Sequence, residues 1–328
     1  MGSRVVGTLV GGLMAETWTN PVEQAGWRLD RVVAGRETVG SRRRAREAVE
    51  SGKVSLQGAV CTDLARVVPA GAALELSWNQ PGTGRAQRAA VASVVEAGLG
   101  ILYEDAWLIA VDKPPGLLTD AATQEQRRER DTVVHRLKKY LAPQGKRAFP
   151  AHRIDRDTSG AVLLAKDERT HAALRAQFHA HTPERVYLAI LQGIPSTSTG
   201  TWSDWMAWDN ALLIQRVASP GAPGSVLAEA HWSLRREIPG GMALVEVRLV
   251  SGRRNQIRLH AMLRGLPLVG ERMYLPERFE RRGPRMERHA LHAWKLAFEH
   301  PARRERVALE CAVPADLRRM IGPMGAPE

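Results

Sequence analysis

Cysteine is scarce: only Cys61 and Cys311 occur in 328 residues. Two thiols cannot build a disulfide framework or fill a structural zinc site, and neither stands at a metal-ligand spacing. A reducing cytoplasm is the simplest setting for such a chain. Long hydrophobic runs are missing too, and no stretch approaches the roughly 20 apolar residues needed to span a bilayer. The apolar segment from Val5 to Met14 is Gly-rich and weakly hydrophobic, poor material for a secretory signal, and is expected to be a tail or an extension ahead of a start at Met14. Acidic residues are in deficit. Against 47 Lys and Arg stand 35 Asp and Glu, a formal net charge of +12 and a pI near 10.4. That surplus attracts polyanions in a salt-dependent way and makes nucleic acid the leading partner class, with a merely solubilising surface as the alternative. The rest of the composition, 44% hydrophobic and 25% charged, is that of an ordinary globular protein. The length favours one large domain with a smaller one attached, and no internal repeat is visible.

Residues 27–80 read as the smaller unit, behind a flexible tail at 1–26. Arg28 to Gly35 and a run from Arg42 to Val49, capped by Ser41 and stopping near Gly52, have helical patterns. Lys53 to Leu56, Ala59-Val60 and Ala73 to Ser77 are short β-type runs separated by turn residues. Residues 81–97 lack apolar periodicity and read as a linker. The chemistry-bearing domain is expected over 98–322, with a short tail at 323–328. Within it Leu108 to Val111 is a strand broken by Asp112-Lys113-Pro114-Pro115-Gly116. A helix follows with Asp131 as its N-cap and Val133, Val134, Leu137 and Leu141 on one face. Ala161 to Ala165 reads as a buried strand, Glu168 to His179 as a helix, and Val186 to Leu191, Leu244 to Val250, Trp294 to Phe298 and Val307 to Ala312 as further strands. This irregular interleaving favours α+β with a mixed sheet over a doubly wound parallel one.

The most informative segment is His152-Arg153-Ile154-Asp155-Arg156-Asp157-Thr158-Ser159-Gly160, a polar loop set directly before an apolar strand. Such loops present catalytic groups. The same composition also suits a self-satisfied turn, with Asp157 and Thr158 bonding local backbone, and composition alone favours that reading.

This segment closely resembles the signature of RluA-type pseudouridine synthases. Asp112 to Gly116 resembles that family's Lys-Pro-x-Gly turn, and Arg185-Val186-Tyr187 its basic-x-Tyr strand. Ser251-Gly252-Arg253-Arg254-Asn255-Gln256-Ile257-Arg258-Leu259-His260 resembles its Gly-Arg-x-x-Gln-Ile-Arg-x-His element, followed by Pro267-Leu268-Val269-Gly270 and, later, Leu291-His292-Ala293. The ordered matches run from about Leu99 to Leu317. The resemblance implies a catalytic fold with a mixed, mostly antiparallel central sheet and flanking helices. It implies the isomerisation of uridine to pseudouridine in RNA, without a cofactor or metal.

That reaction breaks the bond between ribose and uracil N1, turns the base and rejoins it through carbon, so it needs a nucleophile and no external reactant. By resemblance the nucleophile is Asp155, an ionised carboxylate that can attack and leave again. A carboxylate in a pocket drifts towards its neutral form unless a permanent cation lies beside it, and the resemblance assigns that cation to Arg258. Tyr187 matches the family's active-site tyrosine, whose ring lies against uracil; the alternative is a core aromatic on a strand face. Arg153 and Arg156 flank the nucleophile and are candidates for phosphate contacts or for pairing with Asp157. Arg254 is expected one helical turn before Arg258, on the same face, reaching towards phosphate while Arg258 alone pairs with Asp155. His152 reads as a packing residue or a base. Three departures stand out: Ile154 for leucine, Arg185 for lysine and Asn255 for histidine. The Trp202, Trp205 and Trp208 segment departs as well, and its rings either stack on unpaired bases or, as tryptophans more often do, pack internally.

The amino-terminal unit is similar to the alpha-L RNA-binding module of ribosomal and RNA-modifying proteins, a small α/β unit. By that resemblance Arg42, Arg43, Arg44, Arg46 and Lys53 contact phosphate, against the alternative of a solvated basic helix face. The implied partner is structured RNA, large-subunit ribosomal RNA first and transfer RNA second, with no membrane and no obligatory protein partner. A non-catalytic RNA-binding or ribosome-assembly factor on the same fold is the competing function. A glycosidic-bond hydrolase using Asp155 and Asp157 is a weaker one.

Overall fold

Extended strands, the central ones buried along nearly their whole length, organise this chain more than its helices do. A computed structural model describes residues 15–50, 52–77, 99–121, 131–275, 279–280 and 285–322. Residues 1–14, the expected linker at 81–97 and the terminal segment 323–328 lie outside the described residues. Two compact units divide at Ile109/Ala110, rather than near residue 98.

In the first unit, strands β1 (Ala15–Thr19), β3 (Val54–Leu56), β4 (Ala59–Val60) and β6 (Ala73–Ser77) form a sheet in the order β1-β6-β3-β4, and β2 (Trp27–Arg28) pairs with β5 (Val67–Val68). Residues 15–19 were expected in a tail; instead they pair in register with β6, Ala15 opposite Ser77 and Thr19 opposite Ala73. Helices α1 (Leu29–Ala34) and α2 (Arg42–Glu50) pack on this unit's core. Ser41 Oγ accepts from the Arg44 amide at 3.2 Å, the expected cap. Ala45, Ala48 and Val49 face inward at helical spacing, which leaves Arg42, Arg43 and Arg46 exposed. Lys53 is different. It is buried, and its Nζ donates to the Glu104 carbonyl at 2.8 Å, so its ammonium is occupied within the protein rather than offered to phosphate.

Strands β7 (Gly100–Glu104) and β8 (Leu108–Lys113) lead into the second unit. β8 runs two residues further than the Pro-Pro-Gly turn suggested. Its partners follow in chain order: α3 (Val133–Leu141), β9 (Phe149–Pro150), β10 (Ser159–Ala165), α4 (Glu168–His179), β11 (Glu184–Gln192), β12 (Thr199–Asp209), β13 (Ile214–Val217), β14 (Val226–Ile238), β15 (Met242–Leu249), α5 (Gln256–Leu263), β16 (Leu291–Glu299), β17 (Arg306–Glu310) and α6 (Ala315–Ile321). The sheet order is β13-β12-β14-β15-β11-β16-β10-β8, with β17 on β16 and β9 on β10. β10 pairs with β16 in parallel, while β11, β12, β14, β15 and β17 pair antiparallel, which makes the sheet mixed. The long β12–β14 strands were not expected. Tryptophans three apart mask a period of two, and one face of β12 stays only partly covered.

Helix α3 is capped by Thr132, whose Oγ1 accepts from the His135 amide at 3.0 Å, and not by Asp131. Asp131 forms a two-pronged pair with Arg136 instead. Helix α4 is capped by Asp167.

At the start of β10 the chain comes as close to β16 as backbone allows. Gly160 has φ +119°, and a Cβ there would lie 2.2 Å from the Ala293 carbonyl oxygen. Only glycine fits, because the conformation and the space both reject a side chain. We expect Gly160→Ala to lower unfolding stability by at least about 2 kcal/mol. The guanidinium midpoint measures this, and an unchanged midpoint would refute the steric reading.

Candidate active site

The polar loop ahead of β10 is held by its own carbonyl oxygens. Thr119 Oγ1 donates to the Ile154 carbonyl at 3.3 Å, Lys113 Nζ to the Arg156 carbonyl at 2.7 Å, and Arg288 Nη1 to the Asp157 carbonyl at 3.0 Å. Lys113 is fully buried, and its other two hydrogens go to the Pro114 and Leu117 carbonyls. Burial pulls its pKa down to about 7, with Asp157 and Asp155 opposing. The hydroxyls face backwards: Thr158 Oγ1 meets His289 Nε2 at 2.9 Å and Ser159 Oγ meets His292 Nδ1 at 3.0 Å. Burial keeps both imidazoles neutral at physiological pH, at about 3 and about 4. His152 is a packing residue. Its Nε2 accepts from the Leu163 amide, its ring stacks on Phe178 at 4.6 Å, and burial drops its pKa to about 3.

With polar loop atoms spent on the scaffold, the Asp155 side chain turns to the cleft, 25% exposed. It lines two adjoining cavities, of about 330 Å³ and about 370 Å³. Burial raises its carboxyl above the usual aspartate value, while Arg258, Arg153, Lys113 and Arg254 pull the other way. Tyr187 lines the first cavity, and burial pushes its phenol to about 12. Two residues earlier on the same strand, Arg185 donates to the Val250 carbonyl. Its Nη1 lies 2.1 Å from where a Gly252 Cβ would be, so a side chain there would push the guanidinium aside.

Arg258 does not pair with Asp155 alone. Its Nε and Nη2 form a two-pronged pair with Glu271 at 2.8 and 2.7 Å, leaving Nη1 to approach Asp155 at 4.0 Å and donate to Asn255 Oδ1 at 3.2 Å. Glu271 was missed in the sequence. It is fully buried, and its Oε1 also accepts from the amides of Arg272, Met273 and Tyr274. Burial works to raise its pKa, but the Arg258 hydrogen bonds and charge prevail and hold it at about 2. The only hint was position, one residue after Pro267-Leu268-Val269-Gly270. Gly270 itself is obligatory, since a Cβ there would lie 1.9 Å from the Arg288 carbonyl.

A second correction concerns Arg254, which precedes α5 and does not share its face. Asn255 adopts a left-handed conformation, φ 52°, as the residue before the helix, a geometry that asparagine tolerates. Gln256 then ties the turn together, accepting from Ser251 Oγ and the Arg253 amide and donating to the Glu229 carbonyl. Arg254 instead lies over the Trp208 ring, 3.7 Å from its centroid. Arg153 and Arg156 line the second cavity beside Asp155. Trp202 packs internally against Trp232 and His260, as tryptophans more often do, whereas Trp208 borders the cleft. Among the described residues no group of three His, Cys, Asp or Glu could hold a metal ion.

Carboxylate, arginine, tyrosine and basic rim together form an anion-attracting cleft around one partly shielded carboxylate. Residues 107–262 match the RNA pseudouridylate synthase family and residues 27–74 the S4 domain. Ribosomal large subunit pseudouridine synthase D from Zymomonas mobilis is 31% identical over 310 residues, covering 91% of this chain and 94% of that protein. Its namesake from Pseudomonas aeruginosa is 32% identical over 308 residues, covering 90% and 91%. The chloroplastic RNA pseudouridine synthase 2 of Arabidopsis thaliana is 37% identical over 193 residues; the match covers 52% of this chain and 45% of that longer protein. In fold, the chain is similar to human RNA pseudouridylate synthase domain containing 4, with a TM-score of 0.56 at 19% identity, covering 70% of this chain and 95% of that one. The chain therefore belongs to the RNA pseudouridylate synthase family, isomerases that act on RNA, and carries an S4 domain ahead of the catalytic one.

The Arg258–Glu271 pair yields a pH-linked expectation. Because the folded pKa of Glu271 lies below its ordinary 4.5, the pair's contribution is complete above pH 4.5 and is lost as pH falls towards about 2. Glu271→Gln removes one charge of a buried pair and should cost about 3–5 kcal/mol at neutral pH. Its stability should also depend less on pH in that acid window. Urea titrations at several pH values measure both, and a variant as stable and as acid-sensitive as the parent would contradict the pairing.

Proposed function

We propose that this chain isomerises specific uridines to pseudouridine in structured RNA, with large-subunit ribosomal RNA the first candidate and transfer RNA the second, in the cytoplasm. The observation that carries the reading is the placement of Asp155, a carboxylate at the junction of two cavities, faced by Arg258 Nη1 and walled by Tyr187. Naming of full-length relatives as ribosomal large-subunit enzymes supports the choice of RNA.

In this reading the ionised Asp155 attacks the sugar carbon or the uracil ring as the N1–ribose bond breaks. The base turns within the cavity, C5 takes the place of N1 on the ribose, the C5 proton passes to solvent while N1 takes up a proton, and the carboxylate leaves unchanged. Arg258 stays charged, while its two bonds to Glu271 fix the plane in which the remaining Nη1 meets the carboxylate. Tyr187 gives the uracil a flat wall, and its hydroxyl remains protonated at neutral pH. The exposed Arg42, Arg43 and Arg46 of α2 hold phosphate without reading sequence. Arg44, half-buried, supports them from the same helix.

Asp155→Asn keeps the side chain's shape and removes the nucleophile. Tritium release from RNA made with 5-tritiated uridine should vanish, while RNA affinity stays within about threefold of the parent. Pseudouridine mapping in total RNA from cells carrying only this variant should show the same lost sites as a deletion. Residual turnover by the variant would overturn the assignment, and intact pseudouridylation in the deletion strain would favour a non-catalytic role.

A separate expectation concerns the S4 domain. Replacing Arg42, Arg43 and Arg46 together by Gln should flatten the dependence of log affinity on log salt by about 2–3. Single-turnover rates at saturating RNA should persist. A filter-binding salt titration checks the slope, and collapse of the saturated rate would show that the arginines serve more than affinity.

A further inference from the structure

The second cavity holds groups that the isomerisation of one uridine does not use. Its far wall is the tip of the β12–β13 hairpin, where Trp208 stands opposite Gln215. That tip is built to hold its shape. Asp209 Oδ1 accepts from the Ala211 and Leu212 amides at 2.9 Å each, and Arg216 Nη1 donates to Asp209 Oδ2 at 2.8 Å. Beside the turn, the Gln215 amide donates to the Tyr274 hydroxyl at 2.9 Å, tying the hairpin to the segment that carries Glu271.

What this rigid tip presents is apolar. Leu213 and Met273, both lining the cavity, are 51% and 52% exposed. Trp208 is half-buried, and one face is covered by the Arg254 guanidinium at 3.7 Å. Large apolar side chains around one polar cavity mark an interaction site more often than chance exposure. Arg153, Arg254 and Arg272 rim the same space, and all three are exposed. A flat, aromatic-backed surface with guanidinium groups around it matches an unpaired nucleotide, whose base stacks on arginine planes and aromatic rings and whose phosphate seeks cations. An acidic peptide would satisfy the rim but not the flat surface.

We propose that the Arg254–Trp208 layer, with Leu213 and Met273, is the stacking platform for an unpaired base of the substrate RNA next to the target uridine. The position follows from Asp155, which belongs to both cavities. With the target's ribose at Asp155 and its uracil against Tyr187 in the first cavity, the adjoining nucleotide enters the second. This placement rests on the proposed catalytic role of Asp155. The platform itself rests on Trp208 and its surroundings. Trp208 acts by orienting the Arg254 plane, so it is a positioning residue.

The test uses the full-length protein and two probes. In the first, a fluorescently labelled adenylate RNA hexamer is titrated against the parent, Trp208→Ala and Trp208→Phe, alongside a hexamer of abasic ribose phosphates. Stacking of one base predicts at least about a fivefold weaker hexamer affinity for Trp208→Ala. Trp208→Phe should recover to within twofold, and the abasic hexamer should not distinguish the three proteins. In the second, tritium release from a protein-free large-subunit ribosomal RNA transcript is followed as a function of RNA concentration. Trp208→Ala should raise the half-saturating concentration with its saturated rate within threefold of the parent, and Trp208→Phe should restore it. Equal adenylate affinity of parent and Trp208→Ala, or failure of Phe to rescue, overturns the platform. Loss of the saturated rate without a change in half-saturation does so too. If the parent releases no tritium from that transcript, the substrate reading fails, and the hexamer titration alone still decides the platform.

Discussion

Arg258 is divided between two carboxylates, and the cleft takes its form from that division. Two nitrogens of a rigid fork are spent on Glu271, where three main-chain amides complete the carboxylate's shell. One nitrogen is left for Asp155, at 4.0 Å. The energetic consequence follows from charge. Burial holds the Asp155 carboxyl above the ordinary range, against the pull of Arg258 and the other cations around it. The same bonds anchor residues 271–274, and through the Tyr274 hydroxyl they anchor the β12–β13 hairpin. Chemistry at Asp155 and the shape of the neighbouring wall thus share one support.

The second support is made of main chain. Loop residues 154, 156 and 157 lend their carbonyls to Thr119, Lys113 and Arg288, and Gly160 allows β10 to lie directly on β16. Sites on such a base are positioned by backbone, so the side chains at the loop's tip are left for substrate. Neutral His289 and His292 fit this scheme, since each sits against a loop hydroxyl and neither adds charge behind Asp155.

Much of this was readable in the sequence, and the parts that were not have physical causes. Asp155, Tyr187 and Arg258 fall in ordered motifs, and the structure brings all three to one cleft. The α+β class followed from irregular interleaving of apolar runs. Glu271 escaped because an isolated glutamate in a polar stretch carries no periodic pattern; only the tertiary approach of Arg258 gives it meaning. Arg254 was misplaced because helix spacing was extended through Asn255, whose left-handed backbone breaks the helix there. Thr132 and Asp131 are both acceptable caps, and the nearby Arg136 claims the aspartate. Lys53 has the composition of a phosphate contact, but burial beneath its own unit decides otherwise. Trp208 could not be told from Trp202 by spacing, because partial cover of a sheet face is a property of its neighbours.

Lys113 closes the picture from another direction. An amine held by three main-chain carbonyls, with no surface in contact with solvent, is out of reach of an electrophile in either protonation state. Acylating and reductive-methylating reagents will modify the protein's outer amines and pass this one by for as long as β8 and the Asp155 loop stay joined. Its labelling rate is therefore a clock for the opening of the catalytic loop, readable by mass spectrometry on a single peptide.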